Sequence, residues 1–505
     1  MAKYSEQFRR TEEKRRNLER RIEESCRKSG HARPRTRREF LNQGLIAGVG
    51  TVFVPSIATL LAREAQAQEA ACVIDNGGLL GAGKIPFLAI DQGGGANIAG
   101  SNVMVGGMGG QEDFLSANGY AKLGLPEAII PQTVGVDRTF GLAMHPNSAL
   151  LRGMLDKTNV ATRANVNGCV IPARSENDTG NNPHNPIYGI ARAGANGEFA
   201  ATIGSDNSES GGNSRAPDAM IVPEFRPVRV SNRNEAIGLG GGEDNGFPDG
   251  RVAAAAAVIS ALKLGKIDEL QATEELLQCG YDKTEATFNT PITAQDLDPE
   301  ADASLQAIFP NGELQQGDYR KAAAAMKVVV NGYGGAGTIE YGGRDYHQDP
   351  RPETDGKDFV VGQVIGASLE YAAQLNKPLM IYCFSDGAVS ASNTIEDDGN
   401  GTPKYRWQSD ASLQAASFIL VYSPNGQPLL RNGAASQQLG YYRASGDVER
   451  SSSPFANSVD ALAEMVVLNY LGLHGEEAMF GMVLDNPGLG TGAAVAPYIA
   501  FDPIV

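Results

Sequence analysis

Three short apolar runs, each closed by small or polar residues, predict buried strands in this chain. Residues 85–91 (Ile-Pro-Phe-Leu-Ala-Ile-Asp) are the first and residues 378–384 (Pro-Leu-Met-Ile-Tyr-Cys-Phe) the last. Between them lies the stretch 335–347, Gly-Ala-Gly-Thr-Ile-Glu-Tyr-Gly-Gly-Arg-Asp-Tyr-His, whose run 338–341 leads into two glycines and an Asp-x-His. Continuous apolar runs of this length suit strands covered on both faces. Around them apolar residues recur at helical spacing: Leu150, Leu151, Met154 and Leu155 within 148–155, an alanine-rich pattern over 318–330, and Val361, Ile365, Leu369 and Ala372 within 358–375. Similar patterns predict helices over 251–264, 267–277 and 459–471, with Gly265 and Gly472 as stops. From 318 to 384 the order is helix, strand, helix, strand, which predicts a parallel sheet joined by right-handed crossovers.

The remaining patterns are weaker. Residues 219–222 read as a strand, and 416–422 with 427–430 read as a hairpin about Pro424-Asn425-Gly426. Residues 165–215, rich in Asn, Gly and Ser, read as a long surface loop, and 238–250 as a turn-rich one.

Composition changes this picture chiefly at the N-terminus. Of the 43 Lys and Arg, 15 fall within residues 1–67 against 8 Asp and Glu, leaving 28 against 51 beyond. So acidic a remainder lacks the clustered cations that bind a polyphosphate backbone, which excludes nucleic acid as a partner. Residues 1–35 form a charged segment on the cytoplasmic side. Residues 36–67 then carry Arg37-Arg38-Glu39-Phe40-Leu41, an apolar stretch, and Ala65-Gln66-Ala67. Arg37, Arg38, Phe40 and Leu41 resemble a twin-arginine export signal, with Ala65 and Ala67 flanking the cleavage point. That resemblance implies the twin-arginine translocase as a partner, and a mature protein in the periplasm, on the outer surface or outside the cell. An uncleaved leader would instead tether the protein to the membrane. The five cysteines show no Cys-x-x-Cys spacing and read as unpaired core residues.

Candidate chemistry gathers at the strand ends, where ligands sit in parallel sheets. Asp345 and His347 are two residues apart, so in an extended loop they point to one side. Asp386, after the 378–384 strand, Asp91, after the first strand, and His184, in the long loop, complete a candidate metal-ligand set. Such a set would hold one divalent cation, Zn²⁺ or Ca²⁺. Each member also has a structural alternative: a loop hydrogen-bonded pair for Asp345 and His347, a helix N-cap and first-turn acid for Ser385 and Asp386, acceptance from the Gly93–Gly95 amides for Asp91, and a simply solvated loop residue for His184. The loop 92–97 (Gln-Gly-Gly-Gly-Ala-Asn) follows the first strand but lacks the spacing of a phosphate-binding signature, so its glycines are read as permitting tight turns.

Several blocks together resemble a family of secreted bacterial proteins, "domain of unknown function 1501", related to alkaline phosphatases and sulfatases. They are His145-Pro146 with its following helix, Tyr341-Gly-Gly-Arg-Asp345-Tyr-His347, Cys383-Phe-Ser385-Asp386-Gly387, and the C-terminal helix ending in Leu471-Gly-Leu473. The resemblance implies one α/β domain over 68–505, with a mainly parallel sheet sandwiched by helices, an alkaline phosphatase/sulfatase-like fold and long Gly/Asn/Ser-rich loops. It also implies metal-dependent hydrolysis of phosphate or sulfate esters. Four departures point to a degenerate catalyst. Asn97 stands where the family has Asp, and Asn182-Pro183-His184 where it has Arg-Ser-His. Gly401-Thr402-Pro403-Lys404 replaces Gly-Thr-Asp-His, and no Arg follows Ser385-Asp386. The expectation is an exported scaffold or binding protein, with an ester hydrolase and a membrane-tethered envelope protein as alternatives, and with one cation or none.

Overall fold

In the strand Phe87–Gln92 (β1) all six residues are buried, and it lies at the centre of the main sheet. The structure, a computed structural model, describes residues 83–176, 182–240, 292–347 and 349–505. The leader and the helical patterns at 251–264 and 267–277 lie outside the described residues, as does most of the loop 238–250. The described residues all belong to one compact unit; the other, 1–68 with 254–281, lies outside them.

After β1 come a small ribbon of β2 (Asp137–Phe140) and β3 (Leu142–Met144), then the helix Ala149–Lys157 (α1), capped by the Ser148 side chain on Leu151 N. Next are β4 (Val166–Pro172), the helix Ile187–Arg192 (α2), β5 (Ala200–Gly204) and β6 (Val228–Arg229). The helix Gly317–Val330 (α3) leads into β7 (Gly334–Tyr341), the helix Arg351–Gln374 (α4) and β8 (Leu379–Ser385). A hairpin of β9 (Val389–Asp397) and β10 (Pro403–Asp410) precedes β11 (Ala416–Tyr422) and the helix Val459–Leu473 (α5).

The seven-stranded sheet has the order β4-β11-β8-β1-β7-β5-β6. Only β11 runs against its neighbours, β4 and β8, so the other six strands share one direction. Strand side chains alternate between two cores, as the period of two requires. Leu88, Ile90, Ile339, Ile381 and Cys383 face α1, α3 and α4. Phe87, Ala89, Ala336, Met380, Tyr382 and Phe384 face α2 and α5. Each large apolar side chain so buried contributes roughly 1.5–3 kcal/mol relative to exposure. The chain is therefore an α/β protein, with a mostly parallel sheet between helical layers. Among the described residues no helix is long and apolar enough to cross a membrane.

Several expectations need correction. Residues 165–215 are not a surface loop: β4, α2 and β5 lie within them and are largely buried. Residues 219–222 form a turn followed by irregular chain rather than a strand. Strand β11 pairs with β4 and β8, and residues 427–430 form no second hairpin arm, since Leu430 instead bridges Phe501. The last helix runs through Gly472 and stops at His474. Cys169 and Cys383 are buried and unpaired, as expected.

Candidate functional site

Because β8, β1 and β7 are adjacent and parallel, their exit loops meet at one edge of the sheet. The glycine-rich loop after β1 lies between the other two and is tied to both. Gly93 N donates to Tyr341 O (3.0 Å), and Arg344 N donates back to Gly93 O (2.9 Å). On the other side Gly94 N donates to Asp386 Oδ1 (2.7 Å), and Ala96 N to Ser385 Oγ (3.0 Å). Gly94 has φ +132°, a region that L side chains avoid, and a Cβ there would lie 2.6 Å from Asp345 N. The loop amides therefore serve neighbouring protein oxygens and form no phosphate cradle.

Asp386 and Asp91 are both fully buried. Asp386 accepts from Gly94 N and from Asn213 Nδ2 (3.2 Å), while its carbonyl accepts from Asn182 Nδ2 (2.9 Å). No helix follows Ser385-Asp386: β9 begins at Val389, so the pair does not cap a helix. Asp91 accepts from Ser214 N (2.8 Å) and Ser214 Oγ (3.0 Å) rather than from the glycine loop, whose Gly94 amide goes to Asp386. Burial, with the Asp386 and Glu340 charges nearby, pushes the Asp91 carboxyl up to about 8. It is thus largely protonated at neutral pH, a poor state for a cation ligand. A Cβ on Gly212 would lie 2.6 Å from Asp91 Oδ2, so the surrounding loop leaves this carboxyl no room for a further partner on that side.

His184 is also buried and not a solvated loop residue. Its ring stacks on Phe384 (centroids 6.2 Å apart, planes at 10°), and neither ring nitrogen has a hydrogen-bond partner among the described residues. Burial holds its pKa down at about 3, with Arg174 adding to the effect. His145, which is buried, and the partly buried His474 are structural. His145 Nδ1 accepts from Asn147 N (3.1 Å), and its Nε2 bonds Ile129 O (2.7 Å). His474 Nε2 accepts from Ile85 N (3.1 Å), leaving Nδ1–H for Tyr470 O (2.8 Å).

Asp345 and His347 lie on the outer side of the same edge, and the structure brings them together. Their side chains hydrogen-bond, and His347 Nδ1 also lies 3.5 Å from Asp410 Oδ1. One donor atom from each of Asp345, His347 and Asp410 lies within 4.8 Å of the others. This is the one such group of three among the described residues; Asp91, Asp386 and His184 are not part of it. It can hold one divalent cation, with the imidazole and two carboxylate oxygens as ligands.

Asp410 comes from β10, and buried ionic contacts fix that strand against α4. Lys404, 1% exposed, pairs with Asp355, lies 3.4 Å from Asp398 and donates to Asn147 O (2.9 Å). Arg351, at the start of α4, pairs with Asp355 (3.0 Å) and lies over the buried Trp407 ring (4.4 Å). Lys404 is thus a buried structural cation. Asn97 is similarly absorbed: its Oδ1 accepts from Ser101 Oγ (3.2 Å), and its carbonyl accepts from Asn102 Nδ2 (3.0 Å).

The fold and site define an α/β protein whose rim carries, among the described residues, a single three-ligand group. No family model and no curated protein matches the chain.

Proposed function

We propose that the chain is an exported protein of alkaline phosphatase/sulfatase-like architecture that acts as a surface scaffold or binding protein without ester hydrolysis. The observation that carries this reading is the state of the inner strand ends. Asp91 and Asp386 are buried, hydrogen-bonded to protein donors, and enclosed by loops too close for an added Cβ at Gly94 or Gly212. A substrate ester and its attacking group need open space between such carboxylates, and a hydrolase needs ionised ligands there. The missing nucleophile at Pro183 and the lysine at 404 agree with this reading. The twin-arginine-like leader supports export, and the resemblance to the secreted family supports the architecture.

A second reading, metal-dependent hydrolysis of a phosphate or sulfate ester, draws on the Asp345, His347 and Asp410 group. A cation held there would supply Lewis-acid activation. Aryl phosphate and aryl sulfate turnover by the purified chain, with Zn²⁺, Mg²⁺ or Ca²⁺ supplied, separates the two. The scaffold reading expects no rate above buffer. Turnover that disappears in both Asp345→Ala and His347→Ala would overturn it. N-terminal sequencing of the cell-derived protein tests export: a start near residue 68 is expected, and an intact leader would favour the tethered form.

A further inference from the structure

We infer that Asp345, His347 and Asp410 form a clasp for one divalent transition-metal ion of the zinc class, which locks the exit loop of β7 to the end of β10. This rests on the reading above and adds to it what would hold the rim together; it does not require or exclude turnover.

The argument starts from the sources of the three ligands. Asp345 and His347 leave the sheet after β7, whereas Asp410 ends a hairpin 63 residues later in the chain. Independent contacts hold each side. Arg344 N bonds Gly93 O and Tyr346 N bonds Gly95 O on the loop side, while Lys404, Trp407 and the Ala411 N to Ala388 O bond (2.8 Å) hold the hairpin side. The two sides therefore meet with little freedom, as a preorganised ligand set requires. One imidazole nitrogen, His347 Nδ1, faces a carboxylate oxygen on each side. A ring nitrogen carries at most one proton, so it can donate to only one of the two carboxylates. A cation at the common centre would serve all three donor atoms together. One nitrogen with two carboxylate oxygens suits Zn²⁺, whose fourth position water can fill. Ca²⁺ prefers six to eight oxygens, which this group does not provide. The partial exposure of all three residues leaves an entry path from solvent.

The test uses the full purified chain, stripped with a chelator and titrated calorimetrically with ZnCl₂ or CaCl₂, with the thermal midpoint and amide exchange of residues 342–347 and 403–410 followed alongside. The expected result is one Zn²⁺ per chain, a raised midpoint, and slowed exchange in both segments. Ca²⁺ should bind at least about tenfold more weakly than Zn²⁺. Asp410→Asn should weaken Zn²⁺ by about tenfold or more, and Asp386→Asn should leave the affinity within about threefold, scales set by what ligand-shell changes cost. Unchanged Zn²⁺ affinity in Asp410→Asn, or no saturable Zn²⁺ binding, would overturn the clasp. Because Asp410 is exposed, this variant should keep the wild-type circular dichroism, and His347→Gln provides an independent repeat. Ester turnover with the clasp intact would count against the scaffold reading alone, and loss of metal binding without turnover against the clasp alone.

Discussion

Two sets of carboxylates stand at the same edge of the sheet and have opposite fates. The inner set, Asp91 and Asp386, is fully buried, and protein donors occupy its oxygens. The outer set, Asp345 and Asp410, has side chains 44% and 57% exposed and shares an imidazole between them. Solvation makes the difference. A carboxyl removed from water needs protein donors, and burial raises its pKa: Asp386 and Asp91 both accept from protein donors, and Asp91 is pushed up to about 8 as well. A carboxylate left at the rim stays hydrated and keeps its coordination capacity. Metal-ligand residue types alone therefore say little about binding until burial and partners are known.

The sharpest way to break the comparison is to remove the support of the outer set. Lys404→Met leaves the buried Asp355 with Arg351 alone and the buried Asp398 with Arg152 at 3.7 Å, and frees the base of the hairpin that carries Asp410. Deleting one partner of such a buried group costs about 3–5 kcal/mol, measurable as a lower urea midpoint with an unchanged slope. The inner set should separate by chemistry. Asp91→Ala strands Ser214 N and opens a cavity, at a cost of about 2–3 kcal/mol. Asp91→Asn imitates the protonated acid and should cost under about 1 kcal/mol. Equal losses in the two Asp91 variants would show that the ionised carboxylate, not its shape, is needed.

The pH dependence distinguishes the regions again. The raised pKa of Asp91, about 8 when folded against 3.8 when unfolded, gives stability that is full below pH 3.8 and is lost as pH rises towards 8. Three histidines act in the opposite sense. His184, held at about 3, and His145 and His474, at about 4, resist protonation when folded, so stability is lost as pH falls below 6.5. His184→Phe removes two unpartnered ring nitrogens while keeping the stack on Phe384, and should raise stability by about 1 kcal/mol at neutral pH. It should also flatten the acid limb between pH 6.5 and 3. An unchanged acid limb would mean that the ring is hydrated in solution.

Much of this edge was legible in the sequence. The apolar runs of β1, β7 and β8 and the helical periodicity of α1, α3, α4 and α5 mark elements that bury continuous apolar surface. The Asp-x-His spacing located two of the three rim ligands. Asp410 was missed because β9 and β10 were missed. Their polar faces are exposed, and only Val389, Ala391 and Trp407 pack into a small separate core, so no apolar run announces them. The available signal was Asp398-Gly-Asn-Gly-Thr, a turn between a segment with β-branched residues and one bearing Tyr405 and Trp407. Strands β4 and β5 were obscured by Asn, Gly and Ser around them. Their short runs, Val-Asn-Gly-Cys-Val-Ile and Ala-Thr-Ile, are apolar only when read apart from the loops. Partners such as Ser214 for Asp91, 123 residues away, have no local signature.

The smallest expected effect is the most discriminating for the rim. In metal-free protein Asp410→Asn changes an exposed side chain 3.5 Å from His347 and should move stability by no more than about 0.5 kcal/mol. Asp386→Asn places an amide N–H group opposite Gly94 N or Asn213 Nδ2, which already donate there, and should cost about 1–3 kcal/mol. If metal-free Asp410→Asn lost as much as Asp386→Asn, the outer carboxylates would be fold-forming like the inner ones. The distinction between a packed interior and a coordinating rim would then fail. If instead the two variants differ as expected, adding Zn²⁺ should narrow the gap, stabilising Asp386→Asn by about 1.4 kcal/mol or more beyond Asp410→Asn, whose site is about tenfold weaker. A ligand that binds only the folded state raises stability only where its site survives.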